Sequence, residues 1–443
     1  MSDLLYIGAS GVRTYQSAIG TTSENITNSG TAGYVRRAVE VREIAGTKGL
    51  RLSGNGSIAT GLSRSASEFR NAEVRASGSD LSRTQAGVMW LDRLEKVMTG
   101  NQLSAQLTGF FNAAQGVAAN PAAIAPRTVM LETASTLAAS FTATGRTLAT
   151  ATNDLDLTAK DAARDLTNLA AQIDKVNQGL ARSDSGSAMQ MSLLDERDRL
   201  LEGMSALVDI DVSFDAQNRA TVRAGGASGP VLVDTAGAGQ VTFTMSVTGA
   251  SQFVVHRNAT AQIIPARGGV FTGFAEAAQR LADARDALND LATRFVDGVN
   301  AIQAGGADLD GLPGTPMFTA GDPPTEITLA LTDPRGVAAA AVGEGTRGNG
   351  NLALLATLRT DENFEGSLDD MITGNAAALA ARNNVAAAQS SIHAAAVAAR
   401  EEVGGVDLDE SAVELIRFQQ AYQASSRVIQ VARDLLQNIL DIH

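Results

Sequence analysis

One dense run of charged residues lies between two leucine pairs in the middle of the sequence. The run is Asp195-Glu196-Arg197-Asp198-Arg199, between Leu193-Leu194 and Leu200-Leu201. Paired carboxylates can act as general acid and base, but they need a pocket and usually a nucleophile or second base nearby. Asp195 and Arg199 are instead spaced to pair along a helix whose leucines form the buried stripe. The run therefore predicts a helix with a charged face and no catalytic residue.

Metal and cofactor motifs are also missing from the sequence. The three histidines, His256, His393 and His443, are too far apart for a helical zinc site. The acidic residues around Asp308 resemble an EF-hand calcium loop. In that alignment, however, Gly306 and Met317 occupy the first and the twelfth position, which should both be acidic. A turn in which the Asp side chains bond local backbone is the better interpretation. No glycine pair belongs to a nucleotide-binding motif, so the sequence predicts no metal and no cofactor.

Composition narrows the class of protein. The 443 residues carry a net charge of -13, which argues against a nucleic-acid partner because such proteins need a basic face. Cysteine is absent, which excludes disulfides and thiolate chemistry. No window is apolar enough to cross a membrane, and the first residues lack the pattern of a cleavable secretory signal. We therefore expect a chain that stays in the cytoplasm or leaves by a route that uses no such signal.

The elements that would position these residues can be outlined from hydrophobic periodicity. The pattern predicts a mainly α fold with an inserted β domain: a long helical bundle with a coiled-coil stalk from the two terminal segments, and a small antiparallel β sandwich or barrel in the middle. The simplest arrangement pairs the two ends and lets the sheet protrude from the far end of the stalk. The predicted segments are 1–64 (heptad helix and extended arm), 65–207 (long helical bundle), 208–270 (antiparallel β domain), 271–304 (returning bundle helix), 305–371 (mixed irregular segment), 372–403 (alanine-rich bundle helix) and 404–443 (C-terminal heptad helix).

Both terminal helices carry an apolar seam with alternating spacings of three and four, which is typical of a coiled coil. Small residues such as Gly8 on the first seam leave room for a second backbone to come close. Such seams are marginal in isolation and predict assembly with other chains. The residues predicted to form this assembly interface are Leu5, Val12, Tyr15, Ile19, Ile26, Leu415, Phe418, Tyr422, Ile429, Leu436 and Ile439.

Three stretches resemble a known family. TTSENITNSGTAGYVRR (residues 21–37) is similar to the N-terminal motif of the flagellar rod, hook and hook-associated axial proteins. LLDERDRLLEGMSALVDIDV (193–212) and SAVELIRFQQAYQASSRVIQVARDLLQNIL (411–440) resemble helices of the branch that forms the hook–filament junction. Ala32 departs from the family's usual proline, and residues 208–257 and 323–366 match nothing in it. The motif residues carried over by the resemblance are Asn25, Asn28, Gly33, Tyr34, Asp195, Arg197 and Asp198.

The resemblance implies a structural subunit of the bacterial flagellum and not an enzyme. It implies export through the flagellar type III apparatus without a cleavable signal, and an extracellular location in the flagellum. The implied partners are further copies of the chain in a ring, the hook protein, the next hook-associated protein, and an export chaperone on the C-terminal helix. No nucleic acid and no membrane is implied.

A second hypothesis comes from a different class. A secreted adhesin with a helical stalk, displaying the β domain as a binding head, would share the nested order of helices and strands. It would not account for the three motif stretches. Deletion separates the two hypotheses, because an adhesin mutant still swims while a junction mutant sheds filament subunits.

Overall fold

The computed structural model describes residues 2–44 and 56–440. It begins with α1 (Ser2–Thr27), a two-stranded antiparallel arm of β1 (Arg37–Glu43) and β2 (Ser57–Arg64), and four helices: α2 (Glu68–Gly100), α3 (Leu103–Ala119), α4 (Ile124–Leu180) and α5 (Ala188–Leu207). The strands β3 (Ile210–Phe214), β4 (Ala220–Ala224), β5 (Val231–Asp234), β6 (Gly237–Ala238), β7 (Gln240–Met245), β8 (Ser251–Arg257) and β9 (Thr260–Ile263) follow. After α6 (Gly269–Gly305) come the short strands β10 (Gly306–Ala307), β11 (Phe318–Ala320), β12 (Ile327–Leu329) and β13 (Ala340–Ala341), and the helices α7 (Gly350–Glu362), α8 (Phe364–Gly404) and α9 (Leu408–Leu440). The prediction of a mainly α fold with inserted β structure is confirmed.

The helical body is organised around α4, which is 57 residues long. It begins at Ile124, just after Asn120-Pro121, and Pro126 lies inside the first turn, where a missing N–H costs little. On α6, Phe274, Leu281, Leu288 and Phe295 recur every seven residues and are all buried. Few aromatic residues are present, but six of them interlock in one core cluster: Phe110, Phe111, Phe141, Phe295, Phe318 and Phe364. Burying each ring contributes roughly 1.5–3 kcal/mol, so this cluster fixes how the helices cross.

The inserted β structure between α5 and α6 consists of two antiparallel sheets, with the strand orders β3-β4-β5-β6 and β7-β8-β9. It does not protrude from the end of a stalk, as the sequence had suggested, because it packs along α4 and α6. Asn177 on α4 donates to the carbonyl of Ala220 and accepts from its N–H, at 2.9 and 2.8 Å. The Phe253 ring stacks on Phe271 of α6 at 3.5 Å. The buried residues of both sheets therefore belong to the hydrophobic core of the helices.

The segment 305–371, predicted to be irregular, is helical from Gly350 onward, so that prediction is wrong for its last third. Leu352 and Leu355 are buried and stabilise α7 through packing that local composition does not reveal. The predicted turn at Asp308 is confirmed, since its Oδ1 accepts from the N–H groups of Asp310 and Leu312, both at 2.8 Å.

A buried arginine holds the preceding turn against the start of α4. Arg127 is 1% exposed and donates to the carbonyls of Pro121 at 2.7 Å and Val337 at 2.5 Å. Burial lowers the pKa of this guanidinium, although Asp308 acts in the opposite direction. The side chain thus joins two segments more than 200 positions apart in the sequence.

Candidate functional site

The two terminal helices pack against each other in antiparallel fashion. A Cβ on Gly8 would lie 2.7 Å from Ile429 Cγ1 and 3.2 Å from the Ser425 carbonyl oxygen. Nearer the other end of α1, the Tyr15 and Phe418 rings are 6.5 Å apart. Only a residue without a side chain allows this approach of the backbones, as the sequence predicted for Gly8.

The predicted interface residues lie along this contact, and Tyr15, Phe418 and Ile429 are among the side chains that make it. Those with described side chains are half-buried: Leu5, Val12, Tyr15, Ile19 and Ile26 on α1, and Leu415, Phe418, Tyr422, Ile429 and Leu436 on α9. The side chain of Ile439 lies outside the described part. The fully buried positions of α1 in this contact include Gly8 and Gly11, which lie against Ser425 of α9. The close approach at Gly8 agrees with the sequence interpretation, while Gly11 is a position that the predicted seam did not include.

The opposite side of α1 is covered by the arm. Thr14 donates from Oγ1 to the Ser57 carbonyl at 3.2 Å, and Ser57 N–H donates to Ser10 Oγ at 3.2 Å. The first helix is therefore held between α9 and β2.

Asn25 fixes the chain reversal that follows α1. Its Nδ2 donates to the Arg37 carbonyl at 2.8 Å, while its Oδ1 accepts from the Arg37 N–H at 3.0 Å and from the Tyr34 hydroxyl at 2.8 Å. The side chain is 2% exposed and acts as a backbone-like partner for the first residue of β1. It closes the loop 28–36 at its base.

The other two polar residues of this motif lie in the loop itself. Asn28 donates from Nδ2 to the Glu24 carbonyl at 3.0 Å in an exposed position. Gly33 has a φ of +80°, which favours glycine, and lies against the aliphatic part of Arg199.

Arg37 and Arg64 join the arm to α5 through a charged cluster. Arg37 Nη2 lies 2.7 Å from Asp195 Oδ2, and Arg64 Nη2 lies 2.6 Å from Asp198 Oδ2. Arg64 Nε is also 3.1 Å from Asp195 Oδ1, without the alignment of a hydrogen bond. We call Arg37, Arg64, Asp195, Arg197 and Asp198 the arm clamp.

The arm clamp corrects the expected pairing of Asp195 with Arg199. Asp195 turns toward the arm, and Arg199 pairs with Glu196 on the solvent side, where its Nη2 is 2.6 Å from Glu196 Oε1. The Arg197 guanidinium lies 3.9 Å from the Phe214 ring centroid and donates to Asp198 at 2.6 Å and to the Asn218 carbonyl at 2.8 Å. The charged face of α5 is therefore mostly covered by the arm and by β3.

Burial sets the electrostatics of the arm clamp. It raises the pKa of the Asp195 carboxyl above its usual range, while the hydrogen bond from Arg37 and the charge of Arg64 act in the opposite direction. Burial also raises the pKa of the Tyr34 hydroxyl, which Arg37 opposes. Since dehydrating these groups offsets much of their attraction, the arm clamp fixes where the arm docks more than it adds net stability.

The second motif stretch is thus brought onto the first, although they are more than 150 positions apart. Asn25, Tyr34, Asp195, Arg197 and Asp198 belong to one connected network. Sequence reasoning missed Arg37 and Arg64, which connect the two stretches.

Comparison with known proteins gives the family of the chain. The family model "Flagellar hook-associated protein FlgK helical domain" matches residues 91–318, just over half of the chain. The chain belongs to the flagellar hook-associated protein FlgK family. A second family model, "Flagellar basal body rod FlgEFG protein C-terminal", matches residues 400–442, which include α9.

Similar proteins come from several bacteria. The Flagellar hook-associated protein 1 of Salmonella typhimurium is 27% identical, over 73% of this chain and 60% of its own length. The protein of the same name from Escherichia coli is 25% identical, over 81% and 64%, and that from Bacillus subtilis 21%, over 96% and 95%. The chain therefore spans about 60% of the length of the Salmonella relative. The solved structure of the flagellar hook junction protein FlgK from Burkholderia pseudomallei aligns with this chain at a TM-score of 0.49 and 23% sequence identity. The alignment covers 56% of this chain and 47% of that one.

In this member of the hook-associated family, α9 has a second apolar face. Val413, Ile416, Val428, Val431 and Leu435 are 37–67% exposed. At 100° per residue Val413 and Val431 lie opposite the seam that contacts α1, while Val428 and Leu435 lie beside that seam. The described helix is thus apolar on two sides, and α1 covers one of them.

The remaining candidate residues have ordinary surroundings. His256 lies 2.9 Å from Thr242 Oγ1, and His393 lies 3.1 Å from Ser77 Oγ between α8 and α2. His443 lies outside the described residues. Across residues 2–44 and 56–440, no group of three or more His, Asp and Glu side chains is placed to hold a metal ion. Among the described helices, none has both the length and the apolar character that crossing a bilayer requires.

Proposed function

We propose that this chain is a structural subunit of the bacterial flagellum that joins the hook to the filament through the next hook-associated protein. The observation that carries the proposal is the second apolar face of α9 in a chain of this family. One face packs on α1, and a set of exposed large apolar side chains outside that face marks a contact with another chain. Copies of the chain would cover it in a ring.

The partners and the location follow from the same family relation. Relatives named Flagellar hook-associated protein 1 support contacts with the hook protein and with the next hook-associated protein. We expect the protein outside the cell, in the flagellum, after type III export without a cleavable signal. Before export, the exposed face of α9 is the expected site of a dedicated chaperone.

The proposal is tested with paired substitutions on α9 in the bacterium that carries the gene. Val431→Glu places a charge on the outer apolar face, where burial of an unpaired carboxylate opposes assembly. Gln430→Glu adds the same charge one position away, on the exposed polar side of the helix. We expect Val431→Glu cells to lose motility and shed filament subunits into the medium, and Gln430→Glu cells to swim normally.

Substitutions on the inner face separate assembly from folding. Phe418→Glu and Ile429→Glu should block incorporation by disrupting the contact with α1, while the helical body stays folded. A deletion strain that swims normally and retains its filaments would overturn the proposal. The adhesin hypothesis predicts that result, and the family relation gives it no support.

A further inference from the structure

A cavity of about 280 Å³ lies between α2, α6 and α8. Its walls are mainly apolar and are formed by Trp90, Leu91, Leu94, Ala277, Leu281 and Val385. Apolar protein cavities of about 150 Å³ bind molecules as large as benzene, so this one has room for a longer or branched apolar group. It lies away from α1, α9 and the arm clamp.

The charged residues that line the cavity have an excess of positive charge. Glu276 accepts hydrogen bonds from both Arg83 and Arg382, so that carboxylate is already shared by two guanidinium groups. Arg280, one turn further along α6, is exposed and has no ion pair or hydrogen bond to any described residue. An anionic group at the opening would pair with Arg280 without displacing an existing partner of that arginine.

One buried polar atom in the wall also lacks a partner. Trp90 is 4% exposed, and within the described residues its Nε1–H has no hydrogen-bond acceptor. A buried indole N–H usually finds one. Since that nitrogen is fully buried, the ring of Trp90 and not its N–H faces the cavity.

Gly87 keeps the opening in its present form. A Cβ there would lie 2.9 Å from Arg382 Nη1, so the guanidinium occupies the space that a side chain would fill. The position of Arg382 is thereby fixed between α2 and Glu276. Arg382 and Glu276 are therefore held at the opening by contacts among α2, α6 and α8.

We propose that this cavity binds a small organic acid with an apolar body, such as a medium-chain carboxylic acid. The apolar part enters between Trp90 and Leu281, and the carboxylate faces Arg280. This site is additional to the proposed junction role and does not depend on it.

Trp90 is the only tryptophan of the chain, so its fluorescence reports on the cavity directly. The full-length protein is titrated with octanoate, and with 1-octanol and octylamine as neutral and cationic probes of the same apolar length. We expect a saturable change in Trp90 emission with octanoate. Octanol should bind about fivefold more weakly, because an exposed ion pair changes affinity by up to that factor. Octylamine should bind more weakly still.

Two substitutions locate the site. Ala381→Phe fills the opening from an exposed position of α8 and should abolish the response, while Ala380→Phe, also exposed but outside the cavity wall, should preserve it. Arg280→Gln should weaken octanoate about fivefold and leave octanol unchanged. Arg347→Gln, at a remote exposed arginine, should change neither.

Three outcomes would overturn the proposal. One is the absence of a saturable response in the wild-type chain. Another is equal affinity for the three probes, and the third is octanoate binding that Ala381→Phe leaves unchanged. Since Arg280 has no described partner, Arg280→Gln tests the charge even if Ala381→Phe perturbs folding.

Discussion

Replacing Asn25 by Ala should release the arm from α1. The substitution removes three hydrogen bonds, of 2.8, 3.0 and 2.8 Å, and leaves the backbone N–H and carbonyl of Arg37 without those partners. Each bond contributes about 1 kcal/mol net, so the loss of the three bonds is about 3 kcal/mol. Since 1.4 kcal/mol corresponds to a factor of ten, the opening equilibrium of the arm should rise about 100-fold.

Hydrogen exchange with mass spectrometry measures this opening locally. Peptides that cover residues 37–43 and 57–64 should exchange about 100-fold faster in the variant, while peptides from α4 keep their wild-type rates. Asn28→Ala is the matched control, because it removes an asparagine of the same motif whose bond to Glu24 is exposed. Equal exchange of the arm in the two variants would refute the role assigned to Asn25.

Three further substitutions test other contacts. Asp195→Ala removes a carboxylate that pairs with the buried Arg37 and Arg64, and should lower the free energy of unfolding in urea by about 3 kcal/mol. Glu196→Ala, on the exposed side of α5, should change it by less than about 1 kcal/mol. Equal effects of the two substitutions would contradict the arm clamp. Gly8→Ala should lower the thermal unfolding temperature of the α1–α9 pair, measured by circular dichroism, because its Cβ would clash with Ile429. A Cβ at Gly20 has no neighbour within 4 Å, so Gly20→Ala should raise the free energy of unfolding by up to about 1 kcal/mol. Arg127→Met should cost about 3 kcal/mol in the same urea experiment by leaving buried carbonyls unpaired, and an unchanged midpoint would show that those carbonyls find other partners.

Regular periodicity explains what could be predicted from the sequence. The seam Phe274-Leu281-Leu288-Phe295 and the alternation in β3, β4, β7 and β8 reflect burial on one side of an element, and local spacing encodes that. The helix α7 has a weak local pattern and depends on packing around Leu355, so periodicity did not reveal it.

The candidate site was less predictable because its contacts are distant in sequence. Asp195 has a suitable partner four positions away, and a rule based on helical spacing selects Arg199. The observed partner, Arg37, is 158 positions away and becomes available only when the arm lies on α5. The family resemblance marked both motif stretches as important, but only the fold showed that they are two halves of one contact.

The joint between the terminal helices and the body has a mechanical consequence. The Arg36 N–H donates to the Gly404 carbonyl at 2.8 Å, and Arg36 Nη1 lies 2.7 Å from Glu410 Oε2, so the segment leaving α1 and the segment entering α9 are tied side by side. A force on the helix pair therefore reaches the body through two parallel covalent connections at one place. Since the Arg36 contacts lie at the base of the helix pair, they hold the two connections together even when the free ends of α1 and α9 separate.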